Sequence, residues 1–151
     1  GPGYGLFPLR RTASGWAWTA EPTHRTDLDL LVEPFTPQHI GGVPINPFDL
    51  RKPHPYDFEY RDEYTAADRR WEKLTWHRDR TAGAICLCDE GCLHACWLVV
   101  TGSERGTIWR DYRIDGVDLM PMFAPDGTRL TFGDWYLTWL TEAERQATDR
   151  G

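Results

Sequence analysis

The stretch GAICLCDEGCLHACWLVVTGSERGTIWRDY, residues 83–112, decides the fold. Its apolar runs have the length of strands, and short segments rich in glycine and charge separate them, which is the pattern of an antiparallel meander. We predict three strands, at Gly83–Cys88, Cys92–Thr101 and Thr107–Tyr112. The turns between them are predicted at Asp89–Gly91 and Ser103–Gly106.

The residues that follow the meander predict a short apolar segment and then a long helix. Leu119–Phe123 is apolar and precedes a turn at Pro125–Gly127. Thr131 is the predicted N-cap of a helix that continues to about Thr148. Its apolar side chains recur at helical spacing and should face the core: Phe132, Trp135, Tyr136, Trp139 and Leu140. A mainly antiparallel sheet with packed helices is an α+β fold, and 151 residues indicate a single domain.

The residues before the meander predict a hairpin near the start of the sequence. Leu6–Leu9 is a predicted strand that pairs with Trp16–Thr19 across a turn at Ala13–Gly15. The sequence leaves the structure of Asp27–Val32 open. Pro34–Pro55 contains six prolines, and it favours a long loop because proline lacks an amide hydrogen.

A further helix is predicted directly before the meander. Thr65 is its predicted N-cap, with Asp68 as a capping partner, and it ends at about His77. Trp71, Leu74 and Trp76 are the side chains expected to turn inward.

Four cysteines within Cys86–Cys96 give the sharpest chemical signal. We expect Cys88 to lie opposite Cys92, which would place all four cysteines and His94 on one face of the hairpin. The interpretations are a zinc site, a disulfide, or reduced thiols that pack as small apolar side chains. The C-x-C and C-x3-C spacings would not bring the ligands together around one metal ion, so we favour reduced thiols and predict no metal site. A nucleophilic cysteine assisted by His94 is the least favoured interpretation.

The segment YDFEYRDEY, residues 56–64, is the predicted partner-binding patch. Aromatic anchors surrounded by charge are typical of protein interfaces. The candidate contact residues are Tyr56, Asp57, Glu59, Tyr60, Asp62 and Glu63. The alternative is that the aromatic side chains fold back onto the core while the acids face water.

Composition and charge favour a compact cytoplasmic protein. Hydrophobic residues make up 40% of the chain and charged residues 26%, values that argue against disorder. The net charge is −6, and no run of lysine or arginine exceeds two residues, so a nucleic-acid partner is not expected. We also expect no signal peptide and no membrane span. Clustered cysteines are not the spread-out framework of a secreted protein.

A pattern of glycines and aromatic residues recurs between Gly83 and Leu140. It consists of the Gly91–Cys92 turn, Trp97–Val100 running into Thr101–Gly102, Arg105–Gly106 before Trp109, and a Phe132-x-x-Trp135-x-x-x-Trp139-Leu140 helix. This pattern resembles the C-terminal half of the SUKH superfamily, in the branch that includes the fungal cell-wall assembly regulators. Gly1–Leu6 also resembles the family's segment after its N-terminal helices. The resemblance covers about two thirds of the chain and assigns no motif to residues 20–65.

The resemblance implies a single SUKH-like domain over residues 1–151 and a role without catalysis. Bacterial members of the family act as immunity proteins that bind toxins. We therefore expect no catalytic residues, no cofactor, and a protein partner such as a basic nuclease or deaminase toxin. The alternative function is that of a regulatory or scaffold subunit in a cytoplasmic complex.

The start of the sequence implies that another segment or another chain must bury one apolar face of the first predicted strand. Family members place helices before the segment that resembles Gly1–Leu6, so the chain is expected to be N-terminally truncated. Each large apolar side chain left in water costs ~1.5–3 kcal/mol. We expect the face of Tyr4, Leu6 and Pro8, or that of Phe7 and Leu9, to be covered. The candidate covers are the Pro34–Pro55 loop, a second copy of the chain in a homo-oligomer, or a partner in an obligate complex.

Overall fold

A computed structural model describes residues 6–13, 15–18, 26–37, 69, 73–115 and 117–149. Two short strands form an antiparallel hairpin, β1 at Leu9–Thr12 and β2 at Gly15–Trp18. Four further strands pair antiparallel in chain order, and one long helix, α1, follows them at Phe132–Thr148. Those strands are β3 at Ala84–Gly91, β4 at His94–Val99, β5 at Ile108–Asp111 and β6 at Met120–Pro121. The α+β class and the antiparallel meander are confirmed.

The turn between β3 and β4 lies two to three residues later in the chain than predicted. Gly91 pairs with His94, so the turn consists of Cys92 and Leu93 rather than Asp89–Gly91. Cys92 and Leu93 both adopt the left-handed conformation, with φ of 53° and 65°. Two consecutive left-handed residues give the tight turn whose twist matches that of the flanking strands.

A β-bulge in β3 overturns the expected alignment of the cysteines. Cys86 pairs with Trp97 and Cys88 pairs with Cys96, with a shift of register between the two pairs. The bulge adds one residue, Leu87, and a one-residue shift sends the following side chains to the opposite face. Cys86 therefore lies on one face of the sheet, while Cys88 and Cys96 lie on the other. The prediction of one common face, with Cys88 opposite Cys92, is wrong.

Both faces of the four-stranded sheet carry an apolar core. The first core is built from buried side chains on the face away from α1: Phe35, Ala84, Cys86, Ala95, Trp97, Val99, Trp109 and Leu119. The second lies on the face that α1 covers: Leu87, Cys88, Cys96, Ile108 and Trp135. Burial on both faces explains why β3 and β4 are nearly continuous apolar runs rather than alternating ones.

Helix α1 begins and ends where the sequence predicts. The Thr131 hydroxyl accepts a hydrogen bond from the Asp134 amide at 3.2 Å, and it donates to the Asp134 carboxylate at 2.7 Å. This N-cap satisfies an amide that the first helical turn leaves without a partner. Trp135 is buried, and the other predicted inward side chains are half-buried.

The first described residues run beside β3 before the hairpin starts. Leu6 forms an isolated bridge with Cys88, and the Phe7 amide donates to the Leu87 carbonyl at 2.7 Å. Phe7 packs against the first core, whereas Leu9 is 51% exposed. The strand thus starts at Leu9 rather than Leu6, since proline at position 8 has no amide to continue the ladder along β3. Of the predicted strand Leu6–Leu9, only Leu9 lies in β1 and pairs with the segment after the turn, so the hairpin is confirmed but its first strand lies later in the chain than predicted.

Other predicted segments are described only in part. Asp27–Val32 contains a short 3-10 helix at Leu28–Leu30. Residues 73–75 are helical and Leu74 is half-buried, as expected. Trp76 is 38% exposed rather than turned inward, because the helix ends there and the Arg113 guanidinium lies 4.5 Å from the centre of its ring. Thr65, Trp71, Tyr4 and most of Pro34–Pro55 lie outside the described residues. Within the described part of the chain, no helix is long and apolar enough to cross a membrane.

Candidate functional site

The candidate site begins with Phe35, whose ring packs edge-on against Trp109. The ring centroids are 5.0 Å apart, an arrangement that aromatic pairs favour. The Phe35 amide donates to the Thr101 carbonyl at 3.0 Å, which holds this segment against the end of β4. A Cβ at Gly83 would lie 2.8 Å from the Phe35 nitrogen and closer still to the Glu33 carbonyl. Glycine at position 83 is therefore a condition for placing Phe35 here.

Arg129 extends this aromatic pair toward solvent. Its guanidinium carbon lies 5.6 Å from the ring centre of Trp109 and 4.9 Å from that of Phe123. We call these four side chains, Phe35, Trp109, Arg129 and Phe123, the aromatic–arginine ladder. A guanidinium above an aromatic face is attracted by the ring quadrupole. The inner end of the ladder is buried, while Phe123 is 57% exposed.

A tight turn brings the two outer members of the ladder together. Phe123 and Arg129 are bridged across the turn at Pro125–Gly127, which lies where the sequence predicts it. The Asp126 carboxylate accepts hydrogen bonds from the hydroxyl and the amide of Thr128, at 2.7 and 2.9 Å. These bonds lower the pKa of Asp126 and keep it ionised as the turn's acceptor.

A cleft of about 160 Å³ opens beside the ladder. Its lining combines apolar and charged side chains: Phe35, Thr36, Pro37, Ser103, Glu104, Trp109 and Arg129. Glu104 pairs with Arg129 at 3.2 Å, and both side chains are partly exposed. The cleft thus has a mixed lining, in which three apolar side chains lie beside a carboxylate and a guanidinium. Such a pocket can hold one anchoring side chain of a partner and orient its polar end.

The cysteines form a second, separate group of reactive side chains. Cys86, Cys88 and Cys96 are buried, and Cys92 is exposed at the turn. Burial raises the pKa of the Cys86 thiol well above its ordinary value. The hydrogen bond between the Cys88 and Cys96 thiols lowers the pKa of Cys88 and raises that of Cys96. Among the described residues, no group of three or more His, Cys, Asp or Glu side chains is arranged to hold a metal ion.

His94 is engaged by an acid rather than by a cysteine. Its Nε2 lies 2.6 Å from Oδ2 of Asp115, and its ring packs edge-on against Tyr112. A nucleophilic cysteine needs a base within hydrogen-bond reach. The described hydrogen bonds and ion pairs of His94 join it to Asp115, so the geometry lends the nucleophilic interpretation no support.

A buried ion pair stabilises the end of β5, an interior strand of the sheet. Asp111 and Arg113 are paired at 2.6 Å and almost fully buried. The Trp97 indole donates to Asp111 at 3.1 Å, and Arg113 donates to the Thr75 carbonyl at 2.7 Å. Burial alone would raise the pKa of Asp111, but the hydrogen bonds and charge of Arg113 lower it. These polar groups hold the 73–75 segment to the sheet.

The residues predicted to bind a partner lie outside the described residues. Those residues are Tyr56, Asp57, Glu59, Tyr60, Asp62 and Glu63. The aromatic–arginine ladder could not be predicted from local sequence patterns, because its members are far apart in the chain. One signal was available: the predicted turn at Pro125–Gly127 places the flanking Phe123 and Arg129 opposite each other.

Comparison with protein-family models, with curated proteins and with solved structures finds no match to this chain. The resemblance to the SUKH superfamily therefore depends only on the sequence patterns between Gly83 and Leu140 and at Gly1–Leu6.

Proposed function

We propose that this chain is a non-catalytic protein-binding domain and that it acts as an immunity protein, binding and neutralising a toxin. The aromatic–arginine ladder carries the proposal. Tryptophan and arginine are the residue types most enriched among side chains that dominate binding energy. Here an arginine is held between two aromatic rings, next to a cleft that can admit a partner's side chain.

The arrangement of the ladder suits binding because it is already rigid. Phe35 and Trp109 are 3% and 2% exposed, so their packing fixes the floor of the cleft before any partner arrives. Glu104 and the ring of Trp109 hold Arg129 from two sides. A preorganised surface loses little side-chain entropy on association, which leaves more of the contact energy as affinity.

Charge and sequence pattern support a toxin as the partner. The net charge of −6 would attract a basic protein over long range, and many nucleases are basic. The resemblance of Gly83–Leu140 to the SUKH superfamily supports the immunity role and a SUKH-like fold in a cytoplasmic bacterial protein. A regulatory or scaffold subunit would use the same surface without a toxin partner.

Co-expression with a toxin-like protein, where one is encoded beside this chain, tests the proposal. We expect the chain to restore growth and to bind that protein directly in calorimetry. Phe123→Asp should weaken binding about tenfold to a hundredfold, because a carboxylate would replace an apolar anchor beside the cleft. Val32→Asp is the matched control, since Val32 is 78% exposed and lies outside the ladder.

The outcomes separate the two functions. Growth that is not restored, together with no binding, would contradict the immunity proposal. Binding to a non-toxic cytoplasmic protein through Phe123 would favour the regulatory subunit. Equal binding by the Phe123→Asp and Val32→Asp variants would place the interface away from the ladder.

A further inference from the structure

We propose that Cys88 and Cys96 are a disulfide-forming site, a matched pair of thiols that a peroxide converts into a bond between β3 and β4. The inference concerns a modification of the chain and is independent of the proposed binding function. It depends on the bulge in β3, which selects Cys88 and Cys96 out of the four cysteines.

Register places the two thiols directly opposite each other. Cys88 and Cys96 are Cα partners in the antiparallel pairing of β3 with β4. Directly opposed residues in such a pair have Cα atoms about 4.5–5.5 Å apart. Disulfides join Cα atoms about 4.4–6.8 Å apart, so the strands need not move to form the bond.

The same register excludes the other two cysteines. Cys86 is as deeply buried as Cys88, but it lies in the first core, on the opposite face of the sheet. Cys92 is exposed in the hairpin turn. The strand residues on either side of this turn, Gly91 and His94, pair with each other, so Cys92 does not lie opposite another cysteine. If Leu87 were paired as in a regular strand, Cys86 and Cys88 would lie on the same face of the sheet, because side chains alternate along a strand. The bulge therefore determines which faces the cysteines occupy.

The chemistry balances with one peroxide as the oxidant. The Cys88 thiolate attacks one oxygen of hydrogen peroxide, the O–O bond breaks, and a sulfenic acid and hydroxide are formed. The hydroxide takes up the proton that the Cys88 thiol released and becomes water. The Cys96 sulfur then attacks the Cys88 sulfur, the S–O bond breaks, and a second water leaves. The two sulfurs together lose two electrons and two protons. The hydrogen bond from Cys96 favours the thiolate of Cys88, which is the required nucleophile.

Mapping the cysteines after oxidation tests the site. The background is Cys92→Asn, which removes the exposed thiol and supplies a residue that tolerates the left-handed conformation at this turn. The folded protein is treated with hydrogen peroxide, remaining thiols are alkylated under denaturing conditions, and the chain is cleaved at Asp89 or Glu90. Cleavage there separates Cys96 from Cys86 and Cys88.

We expect a peptide linked through Cys88 and Cys96, with Cys86 alkylated. The thermal unfolding midpoint should rise by about 5–10 °C, because the bond restricts the unfolded chain. Cys86→Ala should retain the bond, and Cys96→Ser should abolish it. A link through Cys86, or no link in the folded protein, would overturn the proposal. The mapping uses a chain that keeps Cys86, Cys88 and Cys96, so this result does not depend on the folding of the core variants.

Discussion

At the scale of single residues, the buried ion pair of Asp111 and Arg113 is the feature at which we expect a substitution to destabilise the fold most. Each partner is nearly inaccessible to water, and each makes further hydrogen bonds, to Trp97 and to the Thr75 carbonyl. Removing one partner leaves the other as a buried charge without compensation. The sequence could predict β5 but not this pair, because a charged pair two residues apart usually lies on the surface.

The stability contributed by Asp111 should depend on pH in the acid range. Its pKa in the folded chain is lowered from the ordinary 3.8. The contribution is therefore complete above that ordinary value and is lost as the pH falls through the lower folded value. We expect Asp111→Asn to cost about 3 kcal/mol at neutral pH, with the difference from the native chain shrinking below about pH 4.

Urea unfolding of both chains across this pH range measures the effect. Asp29→Asn, at an exposed position, controls for the loss of one negative charge. A destabilisation by Asp111→Asn that is constant from neutral to acid pH would contradict the assignment of the shift to Asp111.

At the scale of elements, local signals were sufficient for α1 and insufficient for the β3–β4 hairpin. The capping residue and the apolar stripe of α1 act within a few residues of each other, so a sequence pattern captures them. The sequence favours a turn at Asp89–Gly91, because two acids and a glycine separate the two apolar runs there. The pairing of strands instead puts Cys92 and Leu93 in that conformation, although neither residue favours it.

This turn predicts a stabilising substitution. Leu93→Gly should raise the free energy of unfolding by about 1 kcal/mol, because glycine removes the cost of the left-handed conformation. Little burial is lost, since Leu93 is 40% exposed. Leu137→Gly is the matched control at an exposed position in α1, where glycine should destabilise by about 1 kcal/mol. Thermal denaturation followed by circular dichroism compares the two variants. A loss of stability in both would show that the left-handed conformation of Leu93 is not strained.

At the scale of the whole molecule, the sequence predicted the fold class but not which segments meet. The meander and α1 follow from local patterns, whereas the first core depends on Phe35 and Phe7 reaching the sheet from distant parts of the chain. The candidate site is missed for the same reason: Phe35, Trp109 and Arg129 come together only after the chain has folded. Local periodicity carries no information about such contacts.

The prediction at this scale concerns long-range electrostatic attraction, and this prediction depends on the proposed basic partner. Reversing Asp57, Glu59, Asp62 and Glu63 should slow association and weaken its dependence on salt, because steering by the negative chain is reduced. The matched control reverses four exposed acids elsewhere, Asp29, Glu33, Glu142 and Glu144, and has the same net charge. Stopped-flow association rates distinguish the two variants. Equal rates would assign the steering to net charge rather than to the 56–64 segment.

The bulge at Leu87 also determines how strand β3 would respond to the deletion of one residue. In a regular strand, loss of one residue would exchange the faces of every side chain beyond it and expose the apolar set. Here the pairs on either side of Leu87 already differ in register by one residue. A chain shortened by this single position would keep Cys86 and Cys88 on their present faces and would pair regularly with β4 from Ala84 to Asp89. The cost of deleting Leu87 would thus be the loss of one buried side chain from the second core, rather than an exchange of faces along the rest of β3.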